Sequence, residues 1–519
     1  MSDFFYFLLQ QKEKLLEQTL EHIGLTFISL LIALLLGVPL GIWIARNKRW
    51  SAMILGFAGV MQTVPSIALL GFMIPLLGIG SQPAIAALFL YALLPIIRNT
   101  FTGIQGVSPS VKEAAQGMGM TSWQQLFKIE LPLALPVIFA GIRTATVINV
   151  GVATLAAYIA AGGLGEFIFG GIALNNPNMI LAGAIPAALL AILFDSLLAK
   201  VQRMDLRQVR STLWLMLVAM PILSGFYLLP NIYGGSFQAG FAHEFLGRSD
   251  GYPMLKETYK LQLNTVSLNN SLMYEAVKNG EVDLISGYST DGRIKAYQLQ
   301  VLKDDKKAFP PYYAAPLIRQ ETASKYPEVI AALELLSGKI NDSVMTELNY
   351  QVDYLKRAPK EVARQFLQTL ALPETSPLLS HTVTITIGSK IFTEQYILSE
   401  LFGQLIRHST GYQVVHKTGL GGTKICFDAL LAGEIDLYPE YTGTGLIVML
   451  QPDTQTLESL NGDKVKIYQY VKEQFDQNYQ LSWLSPLGFN NTYALMMRKA
   501  QAQSIGIETI SELKTYLSK

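Results

Sequence analysis

The hydrophobic pattern of the chain changes once, near residue 230. Residues 22–230 consist largely of long apolar runs, and a helix of about 20 such residues spans the hydrocarbon core of a membrane. Residues 1–21 mix lysines with glutamates and are expected to form a separate N-terminal segment. The runs predict six spans, near residues 23–45, 53–78, 83–104, 133–160, 179–199 and 212–230. The first part of the chain, residues 22–230, is therefore predicted to be an α-helical polytopic membrane domain.

Positive charges predict how these spans are oriented. They follow the first span, surround the loop between the third and fourth, and separate the last two, at Arg46, Lys48, Arg49, Arg98, Lys112, Lys128, Lys200, Arg203, Arg207 and Arg210. The opposite loops, 79–82 and 161–178, contain no Lys or Arg. Because cytoplasmic loops carry the excess of positive charge, we expect the N-terminus outside, the loop after the third span in the cytoplasm, and everything after Pro230 outside again.

The second part of the chain alternates short strands with helices. Residues 382–387 alternate threonine with apolar residues, a helical pattern follows at 393–407, and 282–286 is also strand-like. This alternation predicts an α/β domain with largely parallel sheets. The predicted boundaries are 231–519 for the whole external domain, 236–370 and 381–519 for its two halves, and 371–380 for a connector that contains Pro and Ser.

Composition excludes several classes of function. A net charge of +1 with 15% charged residues gives no basic surface for nucleic acid. Cys426 is the only cysteine, so no intrachain disulfide can form, and no Cys/His spacing is typical of a zinc site. The P-loop pattern G-x-x-x-x-G-K-[ST] is absent, so the chain is not expected to bind ATP by that route. We assign no metal, no cofactor and no enzyme activity to this chain.

The segment 113–132 lies between the third and fourth predicted spans and is too polar to remain in the membrane. Trp123, Leu126, Phe127 and Ile129 recur at roughly helical spacing, which predicts a short amphipathic helix at the membrane surface, and a proline is suited to open the helix that follows. The pattern E-A-A-x-x-x-G, continued by I-x-L-P, is carried by Glu113, Ala114, Ala115, Gly119, Ile129, Leu131 and Pro132. It resembles the coupling loop of permease subunits of bacterial ABC importers.

In that family the loop docks on a separate ATPase subunit and passes its motion to the membrane helices. The resemblance implies that these seven residues contact an ATPase subunit, which uses the ATP and Mg²⁺. It also implies a homodimer of this chain with two copies of that ATPase. The segments Gln62–Ser66 and Gly141–Ala145 resemble glycine betaine/choline-type permeases, which narrows the family.

The external half resembles periplasmic-type binding proteins for quaternary ammonium compounds, which have two α/β lobes. The segments that carry this resemblance are Gly388–Glu394, Gly419–Thr423, Gly433–Thr444, Gly488–Leu495, His243–Arg248, Gly287–Gly292, Phe309–Tyr312 and Leu348–Asp353. Their order is inverted, because the group from Gly388 to Leu495 normally comes first. We interpret the inversion as a circular permutation cut near Ser236, which proteins tolerate where their termini lie close together at the surface.

The resemblance implies a ligand site of tyrosines and polar residues. A trimethylammonium group has no N–H to donate, and aromatic faces bind it through their negative electrostatic potential. The aromatic box is carried over onto Tyr441, Tyr493, Tyr288 and Tyr312, and a clamp for a carboxylate onto Lys390, Arg248 and Thr444, with Asn491 beside Tyr493. Lys390, Tyr441, Thr444, Asn491 and Tyr493 are expected on one wall of a cleft, and Arg248, Tyr288 and Tyr312 on the other.

Other roles for these residues stay open at the level of sequence. Tyr313 and Tyr438 are neighbours that a shift of register would place in the box instead. Arg248 could form a surface bridge with Glu244 or Asp250, and Lys390 could be a solvated charge at the end of a strand.

The sequence thus predicts a multi-pass protein of the bacterial inner membrane, with an extracytoplasmic binding domain, that imports glycine betaine, choline or carnitine as compatible solutes. One alternative is the same transporter with another betaine such as ergothioneine. A second is a membrane-tethered sensor that does not transport, although a sensor has no need of an ATPase-docking loop.

Overall fold

The computed structural model describes residues 2–174, 176–203, 237–370, 372, 383–460 and 462–518. The chain divides into two compact units, residues 1–172 with 176–236 and residues 173–175 with 237–519. The predicted sixth span at 212–230 and almost all of the connector at 371–380 lie outside the described residues.

The first unit is helical throughout its described part. Its helices are α1 Ser2–Gln10, α2 Lys12–Arg46, α3 Lys48–Thr63, α4 Ser66–Leu77, α5 Ser81–Gln105, α6 Pro109–Gly117, α7 Ser122–Gln125, a π-helical turn Leu126–Glu130, α8 Leu131–Ala156, a 3₁₀ turn Ala157–Ile159, α9 Gly165–Ala173 and α10 Pro177–Gln202.

Four stretches of helix in the described residues are long and apolar enough to cross a membrane. They are Lys12–Arg46, Ser81–Gln105, Ser122–Ile159 and Pro177–Gln202, which correspond to the first, third, fourth and fifth predicted spans. The predicted span 53–78 is instead a pair of helices bent by 100° between Thr63 and Ser66. Val64 there is extended and Pro65 follows it, in keeping with the bias against helical backbone before a proline.

The expected boundary at residue 21 does not coincide with the end of a helix. Helix α2 begins at Lys12 and continues to Arg46 without interruption. Lysine, glutamate and leucine all have high helix propensity, so the polar residues before 22 extend the first span rather than form a segment of their own.

Arg143, a cation inside the fourth span, has partners. Its Nε donates to Oδ1 of Asp195 at 2.8 Å and its Nη2 to Oδ2 at 2.8 Å, and Nη1 donates to Gln202 at 3.0 Å. A charge in an apolar span is costly unless it is paired, and this bidentate pair links α8 to α10.

The second unit mixes strands and helices. Its elements are β1 Gln238–Ala242, α11 His243–Gly247, α12 Tyr252–Tyr259, β2 Asn264–Leu268, α13 Asn270–Asn279, β3 Leu284–Tyr288, α14 Arg293–Ala296, β4 Leu299–Leu302, β5 Ala314–Arg319, α15 Gln320–Lys325, α16 Pro327–Glu334, α17 Asp342–Asp353, α18 Pro359–Thr369, β6 Thr384–Gly388, α19 Thr393–Thr410, β7 Gln413–Lys417, α20 Thr423–Leu431, β8 Leu437–Tyr441, α21 Thr442–Thr444, a π-helical turn Gly445–Leu450, α22 Thr454–Leu460, α23 Lys464–Tyr479, β9 Leu481–Trp483, β10 Tyr493–Arg498, α24 Lys499–Ile505 and α25 Ile510–Leu517.

These strands form two five-stranded sheets of matching topology. The first has the order β2-β1-β3-β10-β4 and the second β7-β6-β8-β5-β9. In each sheet the first three strands are parallel, and the fourth runs antiparallel to both its neighbours. Four of the five strands in each sheet thus run in the same direction, as expected for largely parallel sheets, and the reversed strands β5 and β10 make both sheets mixed.

The two sheets define two lobes, and the chain crosses between them twice. Lobe 1 contains residues 237–302 and 493–518, and lobe 2 contains residues 314–370, 372, 383–460 and 462–483, so the crossings are 303–313 and 484–492. The predicted halves 236–370 and 381–519 do not coincide with the lobes, because each half contributes strands to both sheets. The ends of the unit lie together, since the rings of Phe237 and Tyr516 are 6.5 Å apart.

The local sequence explains the central strands. In β6 the alternation places Ile385 and Ile387 fully inside while the intervening threonines are more exposed, as a period of two requires. Strand β8 is buried along its whole length, because it lies in the middle of its sheet between β6 and β5. Its last residue therefore ends inside the protein rather than at the surface.

Candidate ligand-binding site and coupling segment

The predicted ligand residues lie where the central strands of both sheets end. Lys390 follows closely after β6, Tyr441 is the last residue of β8, and Thr444 ends the short turn after it. Tyr288 is the last residue of β3 in the other lobe. Because the carboxyl ends of parallel strands meet at one edge of a sheet, each lobe presents its residues along the cleft between the two.

The antiparallel strands add their amino ends to the same edges. Tyr493 begins β10 and pairs in register with Tyr288. Tyr312 precedes β5, whose first residue Ala314 pairs with Tyr441. An antiparallel strand begins at the edge where its parallel neighbours end, so the two crossings between the lobes also deliver aromatic residues to the cleft.

All eight predicted ligand residues line one cavity. They are Arg248, Tyr288, Tyr312, Lys390, Tyr441, Thr444, Asn491 and Tyr493. Glu244, Phe392 and Thr423 line it as well and were not predicted. The ligand-binding role of the eight residues remains a prediction.

The aromatic residues form one continuous group around Tyr493. Its ring is 5.5 Å from the ring of Tyr288, stacked, and 5.7 Å from that of Tyr312, edge to face. Phe392 continues the group, with its ring 5.4 Å from Tyr288 and 6.3 Å from Tyr441. Phe392 belongs to the segment Gly388–Glu394 that carried the family resemblance, so the signal for it was present in the sequence.

Arg248 is buried and bonded across the cleft. Its Nε and Nη2 donate to the two carboxylate oxygens of Asp250 at 2.8 and 2.6 Å. Its Nη1 donates to Thr423 and its Nη2 to Thr444, each at 3.2 Å, and both threonines belong to lobe 2. The sequence analysis left open a surface bridge between Arg248 and Asp250. The two residues do form an ion pair, but it lies inside the site and not on the surface. These bonds occupy all but one of the guanidinium N–H groups.

Lys390 is likewise paired inside the site. It is 4% exposed, and its Nζ donates to Oε1 of Glu440 at 2.5 Å. The same Nζ lies 5.1 Å from the centre of the Tyr441 ring. The alternative of a solvated charge at a strand end is therefore wrong. One bond leaves two ammonium N–H groups for a ligand.

Glu394, which was not predicted, holds several site residues in place. Its Oε1 accepts from the hydroxyl of Tyr441 at 2.6 Å and from Asn491 at 2.8 Å. Its Oε2 accepts from Thr290 of lobe 1 at 2.6 Å and from Asn349 at 3.1 Å. Burial raises the pKa of this carboxyl above its usual value. Glu394 therefore fixes the Tyr441 ring and ties the two lobes together.

The remaining phenol groups differ in what they bond. The hydroxyl of Tyr312 donates to Asp250 at 2.7 Å, whereas the hydroxyl of Tyr493 is buried without a partner among the residues that the structure describes. The Tyr312 ring packs directly against Gly443, because a Cβ atom at position 443 would lie only 2.7 Å from the ring. The cavity thus offers aromatic faces and a few unused N–H donors.

The expected division of the site between two walls needs correction. Tyr493 lies in β10 of lobe 1 beside Tyr288, and not with Lys390 and Tyr441. Tyr312 precedes β5 of lobe 2 and was expected on the wall of Arg248. The reason is the two crossings between the lobes, which place Tyr493 at the start of β10 in lobe 1 and Tyr312 directly before β5 of lobe 2.

The predicted coupling residues lie in the first unit, on and around α6. Glu113, Ala114 and Ala115 are within α6, and of these Ala115 is buried while the other two are exposed. Gly119 follows in the left-handed region, with a φ of 74°, and no atom lies within 4 Å of where its Cβ would be. Glycine adopts this backbone freely, which lets α6 end and the chain turn into α7.

The expected separate amphipathic helix is not formed. The helix that starts at Ser122 continues through a π-helical turn, which contains Ile129, into α8, whose first residues are Leu131 and Pro132. Pro132 therefore continues a helix rather than opening a new one. Thr121 caps the start through a capping box with Gln124.

One face of this segment is apolar and exposed. Trp123 and Phe127 are 70% and 58% exposed, and their rings stack 5.5 Å apart. On the buried side Glu130 accepts from Arg46 at 3.2 Å and lies 4.0 Å from Lys112. The segment thus has a fixed inner face and a free aromatic outer face.

Two family descriptions match this chain and together cover most of it. Residues 37–204 match "Binding-protein-dependent transport system inner membrane component". Residues 230–369 and 383–519 match "Substrate binding domain of ABC-type glycine betaine transport system". The break between these two blocks falls at the predicted connector.

The relatives match either the membrane part or both parts. The glycine betaine/carnitine/choline transport system permease protein OpuCB of Bacillus subtilis is 46% identical over 203 residues, which cover 39% of this chain and 94% of that protein. The choline transport system permease protein OpuBB of the same organism is 49% identical over 190 residues, 37% of this chain and 88% of that protein.

A third relative joins a permease to a binding protein. The ergothioneine transport permease/ergothioneine binding protein EgtU of Helicobacter pylori is 27% identical over 484 residues, and the match covers 66% of this chain and 88% of that protein. The chain thus belongs to the glycine betaine/carnitine/choline family of ABC importers, as a multi-pass permease fused to its substrate-binding domain.

Proposed function

We propose that this chain captures a quaternary ammonium compound in the cavity around Tyr493 and passes it through its own membrane domain into the cell. The observation that carries this proposal is the convergence of Tyr288, Tyr312, Tyr441 and Tyr493 on one cavity. Phe392 adds a fifth ring to the same group. Each ring face in contact with a desolvated cation contributes about 0.5–2 kcal/mol.

The charges of the site suit a ligand with a cation at one end. Arg248 and Lys390 are each bonded to a protein carboxylate, of Asp250 and Glu440 respectively. Glu394 adds a further buried carboxylate beside the rings. The two cations keep a few N–H groups free for an acidic ligand group, so betaines and choline both belong to the proposed ligand class.

The cargo is proposed to be glycine betaine, choline or carnitine, taken up as compatible solutes. The names of the two Bacillus subtilis relatives support this class. Ergothioneine, a larger betaine, is the second candidate, since the Helicobacter pylori relative named for it combines the same two parts in one chain.

We further propose the assembly in which the chain works. Two copies would combine with two copies of a separate ATPase subunit, which binds Mg²⁺ and ATP and docks on the segment Glu113–Pro132. This segment would face the cytoplasm and the binding domain the outside, as the distribution of positive charges suggests. Closure of the two lobes around the ligand would precede its release into the membrane domain.

The inverted order of the binding segments is proposed to be a circular permutation. The contact of Phe237 with Tyr516 supports it, because it brings the two ends of the unit together. Joining those ends and opening the chain at the connector would then restore the usual order without moving a site residue.

The proposal is tested by calorimetric titration of the full chain, purified in lipid nanodiscs, with glycine betaine, choline, carnitine and ergothioneine in turn. We expect saturable binding of at least one of them, and weaker binding in the Tyr441→Ala variant. Absence of binding for all four would refute the ligand class. Transport is tested separately by uptake in cells, which should cease when the cellular ATP supply is removed.

A further inference from the structure

A second cavity lies between the lobes, directly beside the aromatic cavity. It shares Tyr288, Phe392 and Asn491 with its neighbour. Lobe 1 supplies residues of α13 and of the turn after β3, and lobe 2 supplies residues of α17 and the start of α19. The sequence motifs did not identify it as part of the ligand site.

A pair of rings separates the two cavities. Tyr288 belongs to lobe 1 and Phe392 to lobe 2, and their rings stack 5.4 Å apart at an angle of 19°. Both residues are only half-buried. Because the rings come from different lobes, opening of the cleft would part them and would join the two cavities.

The second cavity contains more carboxylates than cations. Asp291 is neutralised by Arg293, whose Nε and Nη2 donate to its two oxygens at 2.9 and 2.6 Å. Asp353 and Glu394 line the same cavity, and their bonds come from neutral donors, the hydroxyl of Thr393 in the case of Asp353 at 2.5 Å. Burial raises the pKa of Asp353, although the nearby charge of Arg293 opposes this rise.

An amide oxygen in this cavity is also without a partner. Asn349 is 3% exposed, and its Nδ2 donates to the backbone oxygen of Thr290 at 2.9 Å and to Glu394 at 3.1 Å. Within the described part of the chain no donor reaches its Oδ1. Buried polar atoms without a hydrogen bond are rare in proteins, and a ligand that donates an N–H or O–H here would satisfy it.

We propose that the second cavity is a subsite for the far end of an elongated quaternary ammonium ligand, whose methylated nitrogen lies in the aromatic cavity. The acceptors Asp353, Glu394 and Asn349 define that end as a group that donates hydrogen bonds, such as an imidazole-type ring with N–H groups. A short ligand such as choline occupies the aromatic cavity alone. This inference rests on the proposed function and adds to it the length and the chemistry of the preferred cargo.

The test compares a long and a short ligand on variants of helix α17. The full chain in nanodiscs is titrated with ergothioneine, which has an imidazole-type ring, and with choline. Asp353→Asn should weaken ergothioneine binding about tenfold, the effect of losing a hydrogen bond to a charged acceptor, and should leave choline binding within about twofold. Asn349→Ala should give the same difference between the ligands. Glu347→Gln removes an exposed charge from the same helix and should change neither affinity.

The possible outcomes distinguish failure of the proposed subsite from failure of the proposed function. Equal losses for both ligands in Asp353→Asn, or no loss for either, would overturn the subsite. A wild-type chain that binds choline but not ergothioneine would also overturn it and leave the proposed function standing. A chain that binds no quaternary ammonium compound would refute both.

Discussion

The ring of Tyr288 offers a sharp test of the aromatic cavity. It stacks on Tyr493 at 5.5 Å and on Phe392 at 5.4 Å, and it is only half-buried. Its removal therefore takes away one face of the cavity without emptying the core of either lobe. The Tyr288→Ala variant is expected to fold and to bind a quaternary ammonium ligand less tightly.

The expected loss follows from the contact that the ring makes. A cation over a desolvated aromatic ring gains about 0.5–2 kcal/mol, which corresponds to a weakening of about 2- to 30-fold. Tyr288→Phe keeps the ring and removes only the hydroxyl, so its affinity should stay within about threefold of wild type. Tyr313, next to Tyr312, does not line the cavity, and Tyr313→Ala is the control for removal of a tyrosine outside it.

The assay is calorimetric titration of the three variants in nanodiscs with whichever ligand the wild-type chain binds, alongside thermal melting to verify folding. The reasoning predicts a loss for Tyr288→Ala alone. It is refuted if Tyr288→Ala binds as tightly as Tyr313→Ala while both melt as the wild type does.

Three further predictions concern the coupling segment and the charges of the site. Gly119→Val forces a branched side chain into left-handed backbone, which costs about 1–2 kcal/mol. Uptake by this variant should fall, while its ligand binding should stay unchanged. The control Gly117→Val lies at an open helical position and should change neither uptake nor ligand binding. Asp250→Asn removes the charge that neutralises Arg248. The ratio of glycine betaine affinity to choline affinity should therefore rise about tenfold, or ~1.4 kcal/mol. An unchanged ratio in paired titrations would contradict this prediction. Burial raises the pKa of Glu394, so the folded chain holds this proton more tightly than the unfolded chain and gains stability as the pH falls. Melting of wild type relative to Glu394→Gln should accordingly shift in favour of wild type as the pH falls toward the usual carboxyl pKa of 4.5, and a constant difference would disprove the assignment.

Local sequence pattern predicted several of the elements, and the resemblance to a known family supplied the residues that line the cavity. The alternation at 382–387 became β6 at Thr384–Gly388, and the helical pattern after it became α19. The eight predicted ligand residues came from the short segments that carry the family resemblance. Such segments lie at strand ends, where a fold places binding residues regardless of how the rest of the chain is connected.

Features that depend on pairing between distant segments could not be predicted. Tyr493 was assigned to the wrong wall because nothing local in β10 indicates that it joins the sheet of β1–β3. The partners of Arg248 and Lys390 were undecided for the same reason, since Glu440 lies fifty residues from Lys390. Pro65 indicated a break in the helix near Val64, but a proline is compatible both with a mild kink and with the observed bend of 100°.

The central claim is that the site recognises a positive charge by ring faces and not merely a molecule of suitable shape. It is tested most directly by titrating the full chain with choline and with its neutral analogue, in which carbon replaces the quaternary nitrogen. The two ligands have the same shape, so the account predicts that the analogue binds at least about tenfold more weakly. Equal affinities for the two would contradict it.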